Sequence, residues 1–169
     1  MDYVHRKNLI PDPRFQHVGD MRDQGLSSAQ AVDHENGRRY VRAIYDGSAV
    51  DPYLDIAQIR TSPGDYRLFF NVFAQGGSGL VRVHTRPAGS SSYAIVYERG
   101  VANGQTLRET SGTFALQDET IVRIVPPKTG GGMTMITETN LELASTFDEA
   151  FPYFDGSMNN PFGGGGYSF

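Results

Sequence analysis

The chain contains no cysteine and no tryptophan. Without cysteine it has no disulfides, no thiolate metal sites and no cysteine nucleophile, which suits a protein folded in a reducing cytoplasm. Its apolar runs are only a few residues long, far short of the roughly 20 that a membrane-spanning helix needs. The opening MDYVHRKNLIPDP lacks the apolar core of a signal peptide, so Sec-type export is not expected. Basic charge is in deficit, since 15 Lys and Arg face 19 Asp and Glu for a net charge of -4. A nucleic-acid role would need a local basic patch against that field, and only Arg38-Arg39 and the spaced Arg82, His84 and Arg86 approach one.

What is present is turn chemistry. With 20 glycines and 9 prolines in 169 residues, 38% hydrophobic and 20% charged, the composition describes one turn-rich soluble domain. A chain of this size buries about 70% of its unfolded surface. Strand candidates follow one another at Arg39–Tyr45, Tyr53–Ile59, Tyr66–Ala74, Leu80–Arg86, Tyr93–Glu98, Gln105–Leu116, Glu119–Val125 and Met133–Leu143. Turn signals such as Asp46-Gly47, Pro63-Gly64-Asp65, Asn103-Gly104 and Pro126–Gly132 separate them, and no helical period competes. The pattern predicts an antiparallel β-sandwich or barrel, with the doubly apolar Tyr66–Ala74 at its centre. Residues 17–37 read as a polar loop with at most one helical turn around Ser27–Ala31. In the last strand, Met133, Met135, Thr137, Thr139, Leu141 and Leu143 alternate with Thr134, Glu138, Asn140 and Glu142. Pro152-Tyr153-Phe154-Asp155-Gly156 then breaks the pattern with a proline, two adjacent rings and a turn.

No catalytic constellation appears. His5, His17, His34 and His84 have neither ligand spacing nor a helix to present them. Ser90-Ser91-Ser92 has no strand-turn-helix elbow, and the neighbouring acids Asp118-Glu119 and Asp148-Glu149 diverge on extended backbone. Gly130-Gly131-Gly132 lacks the lysine and helix of a phosphate loop and reads as a hairpin. The chain is therefore expected not to be an enzyme. The outward row Arg82, His84 and Arg86, with Tyr93 and Tyr97 nearby in sequence, combines forked donors with flat rings, the mix that sugar-binding faces use.

Asn8-Leu9-Ile10-Pro11-Asp12-Pro13-Arg14-Phe15 resembles the opening of carbohydrate-binding-module-like jelly rolls, and Pro63–Ala74 resembles a strand of that fold. Gln105–Val125 is similar to its penultimate hairpin. The closing Leu141–Ala144 with Pro152–Gly156 resembles a signature of minor tail and other virion proteins of tailed phages. In the binding modules the Phe of the opening precedes a Glu that helps hold a structural calcium. Here Gln16 takes that place and the last strand offers Glu138 and Glu142, so no cofactor is expected.

The resemblance implies an all-β, antiparallel jelly-roll β-sandwich over residues 17–156, entered by an extended arm and first strand (1–16) and left by a glycine-rich tail (157–169). It also implies a structural protein of a phage or prophage tail, made in the host cytoplasm. Such a protein would act through contacts with other virion proteins, in a homo- or hetero-oligomeric assembly, and by host-surface adhesion. The alternative is a glycan-binding module recognising cell-wall or capsule polysaccharide. Tyr153, Phe154, Phe162, Tyr167 and Phe169 are the candidate assembly contacts; Arg82, His84, Arg86, Tyr93 and Tyr97 are the candidate glycan contacts. Neither reading involves nucleic acid, membrane insertion or a bound metal.

Overall fold

The computed structural model describes residues 4–33, 38–160 and 167–168. In chain order its strands are β1 (Val4–Lys7), β2 (Arg22–Gln24), β3 (Leu26–Asp33), β4 (Arg39–Tyr45), β5 (Tyr53–Arg60), β6 (Gly64–Gln75) and β7 (Gly79–Arg86). They continue with β8 (Ala94–Val101), β9 (Thr106–Thr110), β10 (Phe114–Leu116), β11 (Glu119–Val125), β12 (Met133–Leu143), β13 (Ser157–Asn160) and β14 (Tyr167–Ser168). A 3-10 turn, Val18–Asp20, precedes β2. One sheet runs β10-β6-β12-β4-β3 with β9 also on β6; a second runs β2-β5-β11-β7-β8; β1, β13 and β14 form a small third. The two large antiparallel sheets make a jelly-roll β-sandwich.

Period-two patterning drives the packing. Along β7, Val81, Val83 and Thr85 are buried while Arg82, His84 and Arg86 lie half-exposed. Val41, Leu54, Leu68, Phe70, Val72, Val122, Ile124 and Ile136 join them in one core between the sheets. β6 pairs with β12 on one side and with β9 and β10 on the other, which is the central place its two apolar faces imply.

Three segments depart from the sequence reading. Leu26–Asp33 is an edge strand on β4 rather than a loop. Its alanines and serines give little β propensity, and pairing supplies what the side chains do not. Gln105–Leu116 is split, because buried Ser111 takes the Leu68 amide on its hydroxyl at 2.8 Å and breaks the strand there. β12 does not keep one buried face. A bulge between Thr137 and Asn140 places Glu138 at φ +46°, so Ile136 faces the core before it and Leu141 after it. Asn140 and Glu142 consequently turn to the outer side of the sheet, where the segment after β12 covers them.

The arm and the tail also differ from expectation. The first strand is Val4–Lys7, and the irregular chain after it sinks Ile10 and Phe15 into the core. Residues 157–169, read as a flexible tail, contribute β13 and β14, and β13 pairs with β1 from Val4–Asn160 to Lys7–Ser157.

Candidate functional site: the outer face of the five-stranded sheet

Register aligns side chains from distant parts of the sequence into transverse rows on this face. Arg22, Asp55, Arg123, Arg82 and Glu98 form one row across all five strands. Gln58, Ile121, His84 and Ile95 form the next. Arg60, Glu119 and Arg86 form a third. The arginines are oriented by carboxylates: Arg123 donates to buried Asp55 through Nε at 2.6 Å and Nη2 at 3.2 Å, and Arg82 Nε donates to Glu98 at 2.6 Å. Arg86 Nε donates to Glu119, and this contact holds the Glu119 carboxyl below its ordinary range and the guanidinium above its own. Arg22 and Arg60 are exposed and form no ion pair among the described residues.

His84 sits in the middle row with its Nε2 buried and without a hydrogen-bond partner. Burial first, then Arg123 and Arg82, lowers its pKa, while Asp55 and Glu98 pull the other way. Two rings also lie on or beside this face, but guanidinium groups cover them. Arg123 lies 3.8 Å from the centre of the Tyr53 ring, and Arg86 lies 4.5 Å from that of Tyr93. The Tyr93 hydroxyl reaches Glu119 at 3.5 Å. A depression of about 270 Å³ beside the third row is lined by Gln58, Arg60, Tyr93 and Glu119.

Arg82, His84, Arg86 and Tyr93 thus come together on the candidate face, and Tyr97 does not. It pairs with inward Val83, stacks on Phe114 at 5.7 Å and meets Phe70 at 6.2 Å. Its hydroxyl donates to Glu109 at 3.4 Å, and burial pushes its pKa up to about 12. The cause is a register shift between Val83 and His84, which gives the outward place opposite His84 to Ile95. Sequence reasoning missed Arg22, Tyr53, Asp55, Gln58, Arg60 and Arg123. The available signal was Arg123 between Val122 and Ile124, an outward position in an otherwise buried strand.

The closing motif is corrected more sharply. Phe154 is 4% exposed and packs 4.7 Å from the Arg6 guanidinium, so it is spent inside the domain and is no assembly contact. The Tyr153 hydroxyl donates to the Pro13 carbonyl at 3.2 Å and to Asp155, and burial raises its pKa. Beneath them Arg6 Nε and Nη2 bind Glu142 at 2.8 and 2.7 Å, with both side chains fully buried, and Arg6 Nη1 donates to the Phe151 carbonyl. Thr146 and Asn140 also donate to Glu142, and Asn8 bridges the Thr139 and Phe154 carbonyls. Tyr167 lies in β14, paired with Asn159; Phe162, Phe169 and His34 lie outside the described residues.

The residues that the resemblance ties to calcium do not fit that ion. Glu138 is held by Arg38 at 2.6 Å and Arg108 at 2.9 Å, and Glu142 is held by Arg6, so both carboxylates are already neutralised by guanidinium groups. Among the described residues no group of three His, Asp or Glu side chains is placed to hold a metal ion.

Comparison with solved structures places this architecture. TmCBM61, solved in complex with β-1,4-galactotriose, superposes with a TM-score of 0.56 at 15% identity, over 80% of this chain and 97% of that one. The fold is that of carbohydrate-binding modules. A family 16 carbohydrate-binding module gives 0.56 at 15% identity over 79% and 99% of the two chains. The CBM22-2 xylan-binding domain from Paenibacillus barcinonensis gives 0.52 at 10% over 82% and 98%. No family model and no curated protein matches the sequence.

Proposed function

We propose that this protein is a non-catalytic glycan-binding module that meets its ligand with the outer face of the five-stranded sheet. The observation that carries the reading is the row Gln58, Ile121, His84 and Ile95 lying between two rows of carboxylate-oriented arginines. Gln58 and Ile95 are exposed at the two ends of that row, Ile95 at 51%, with half-exposed His84 and the 2% exposed Ile121 between them. The row thus offers an amide at one end, part of an imidazole, and an apolar side chain at the other, on strands spaced about 4.8 Å apart. A sugar presents C–H and hydroxyl groups side by side, which a mixed apolar and polar surface suits. The fold shared with modules solved with or named for glycans supports this reading by analogy only. A glycan array and host-envelope pull-downs test it. Saturable binding weakened at least about tenfold by His84→Ala, with the circular dichroism spectrum retained, is the expected result, since one lost oriented contact costs about 1.4 kcal/mol or more. Absence of binding to every glycan and envelope fraction would sink it.

The likeness of Pro152–Gly156 to virion proteins motivates a location for the module, on a phage or prophage tail, made in the host cytoplasm and held by other virion proteins. There the same face would serve attachment to the host surface. Mass spectrometry of purified particles checks this: the protein should co-purify with tails at a fixed stoichiometry, and its absence from particles would remove the virion role while leaving glycan binding intact.

A further inference from the structure

On the reading that this sheet face binds glycan, we infer that the ligand is an acidic polysaccharide, with its anionic groups meeting the outer ridge of β7. Three features point there. The first is the direction of the guanidinium forks. Arg82 and Arg86 are each tied through Nε alone, to Glu98 and to Glu119, so their terminal nitrogens take no acceptor among the described residues. An arginine carries five N–H donors in a rigid fork, and fixing Nε presents the remaining edge as a ready bidentate site for a carboxylate, sulfate or phosphate.

The second feature is where the protein's own acids stand. Glu98 comes from β8 and Glu119 from β11, so the two carboxylates flank the β7 ridge on opposite sides and do not sit on it. Asp55 is fully engaged by Arg123, and Asp118 acts on Arg86 through space only. Arg82, His84 and Arg86 follow one another at alternate positions of one strand, so the Cα atoms of the two arginines stand about 13 Å apart with His84 between them. Arg22 and Arg60, both exposed, lie on the β2 and β5 side and add positive potential to the same face.

The third feature is that stacking platforms for a neutral sugar are already occupied. Tyr53 lies under Arg123 and Tyr93 under Arg86, Tyr97 points into the core, and the chain has no tryptophan. Charge-assisted hydrogen bonds, about twice as strong as neutral ones, are what the face has left to offer.

The experiment is isothermal titration of the intact protein against four polymers in one buffer: polygalacturonate, a sulfated galactan, a glycerol-phosphate wall polymer, and neutral galactan. Binding to at least one acidic polymer at least about tenfold tighter than to neutral galactan, and falling as salt is raised, is expected. Arg82→Gln/Arg86→Gln should abolish that preference with the thermal transition kept, and Arg82→Lys/Arg86→Lys should recover it only in part, because lysine has charge without the fork. The acidic arm that binds tells carboxylate from sulfate from phosphate. Equal or tighter binding of neutral galactan, or acidic binding indifferent to the double glutamine variant, overturns the inference and leaves glycan binding standing. Binding to none of the polymers, nor to any glycan on the array, overturns both.

Discussion

The molecule uses the arginine–carboxylate pair in two places with opposite consequences. Arg6 and Glu142 are wholly buried, and every neighbour of the pair is a fixed part of the domain: Asn140, Thr146, the Phe151 carbonyl and the Phe147 and Phe154 rings. Arg82–Glu98 and Arg86–Glu119 have the same chemistry on half-exposed strands, with part of each fork left open. Burial decides the role. A desolvated pair that loses one member leaves an uncompensated charge, whereas a solvated pair is worth little to stability and orients a donor for something else.

Breaking the buried pair should have the largest effect. Glu142→Ala is expected to cost about 3–5 kcal/mol in urea unfolding, and the double change Arg6→Met/Glu142→Leu to recover most of it. A single-variant cost below about 1 kcal/mol would erase the distinction between the two regions. Next comes Tyr97→Ala, which opens a hole beside Phe70 and Phe114 and should lower stability by about 3 kcal/mol while leaving ligand affinity unchanged. Loss of binding without loss of stability would return Tyr97 to the glycan face.

Smaller effects follow from titration and from the exposed pairs. The pKa of His84 is depressed in the fold, so the unfolded chain takes up protons first as pH falls; stability should decline below about pH 6.5, and His84→Gln should flatten that limb of the denaturation profile. Arg82→Gln should change stability by less than about 1 kcal/mol, in contrast to its effect on ligand. Addition of EDTA or calcium should leave the melting temperature unmoved, because guanidinium groups already neutralise Glu138 and Glu142.

Much of the fold was legible in the sequence because alternation is a local property. The strands at Arg39–Tyr45, Glu119–Val125 and Met133–Leu143 have the bounds that their patterns imply. What eluded it was register. One extra residue in β12 sends Glu142 outward, and one in β8 sends Tyr97 inward; neither bulge carries the glycine or proline that marks a break. The same limit hid the transverse rows of the outer face, since Arg22, Asp55 and Arg123 are neighbours only once the sheet has formed. In the sequence the closing motif reads as an interaction surface, because two adjacent rings in a turn need a cover. Arg6, more than 130 positions away in sequence, provides it.

The pairing of β1 with β13 has a consequence for how the domain can be carried. Val4 stands opposite Asn160, so the first and the later strands of the domain run side by side. A domain joined in this way can be spliced into a surface loop of another protein, or closed on itself and reopened at a turn such as Pro87–Ser92, without disturbing either large sheet. Either arrangement would leave the β7 ridge intact.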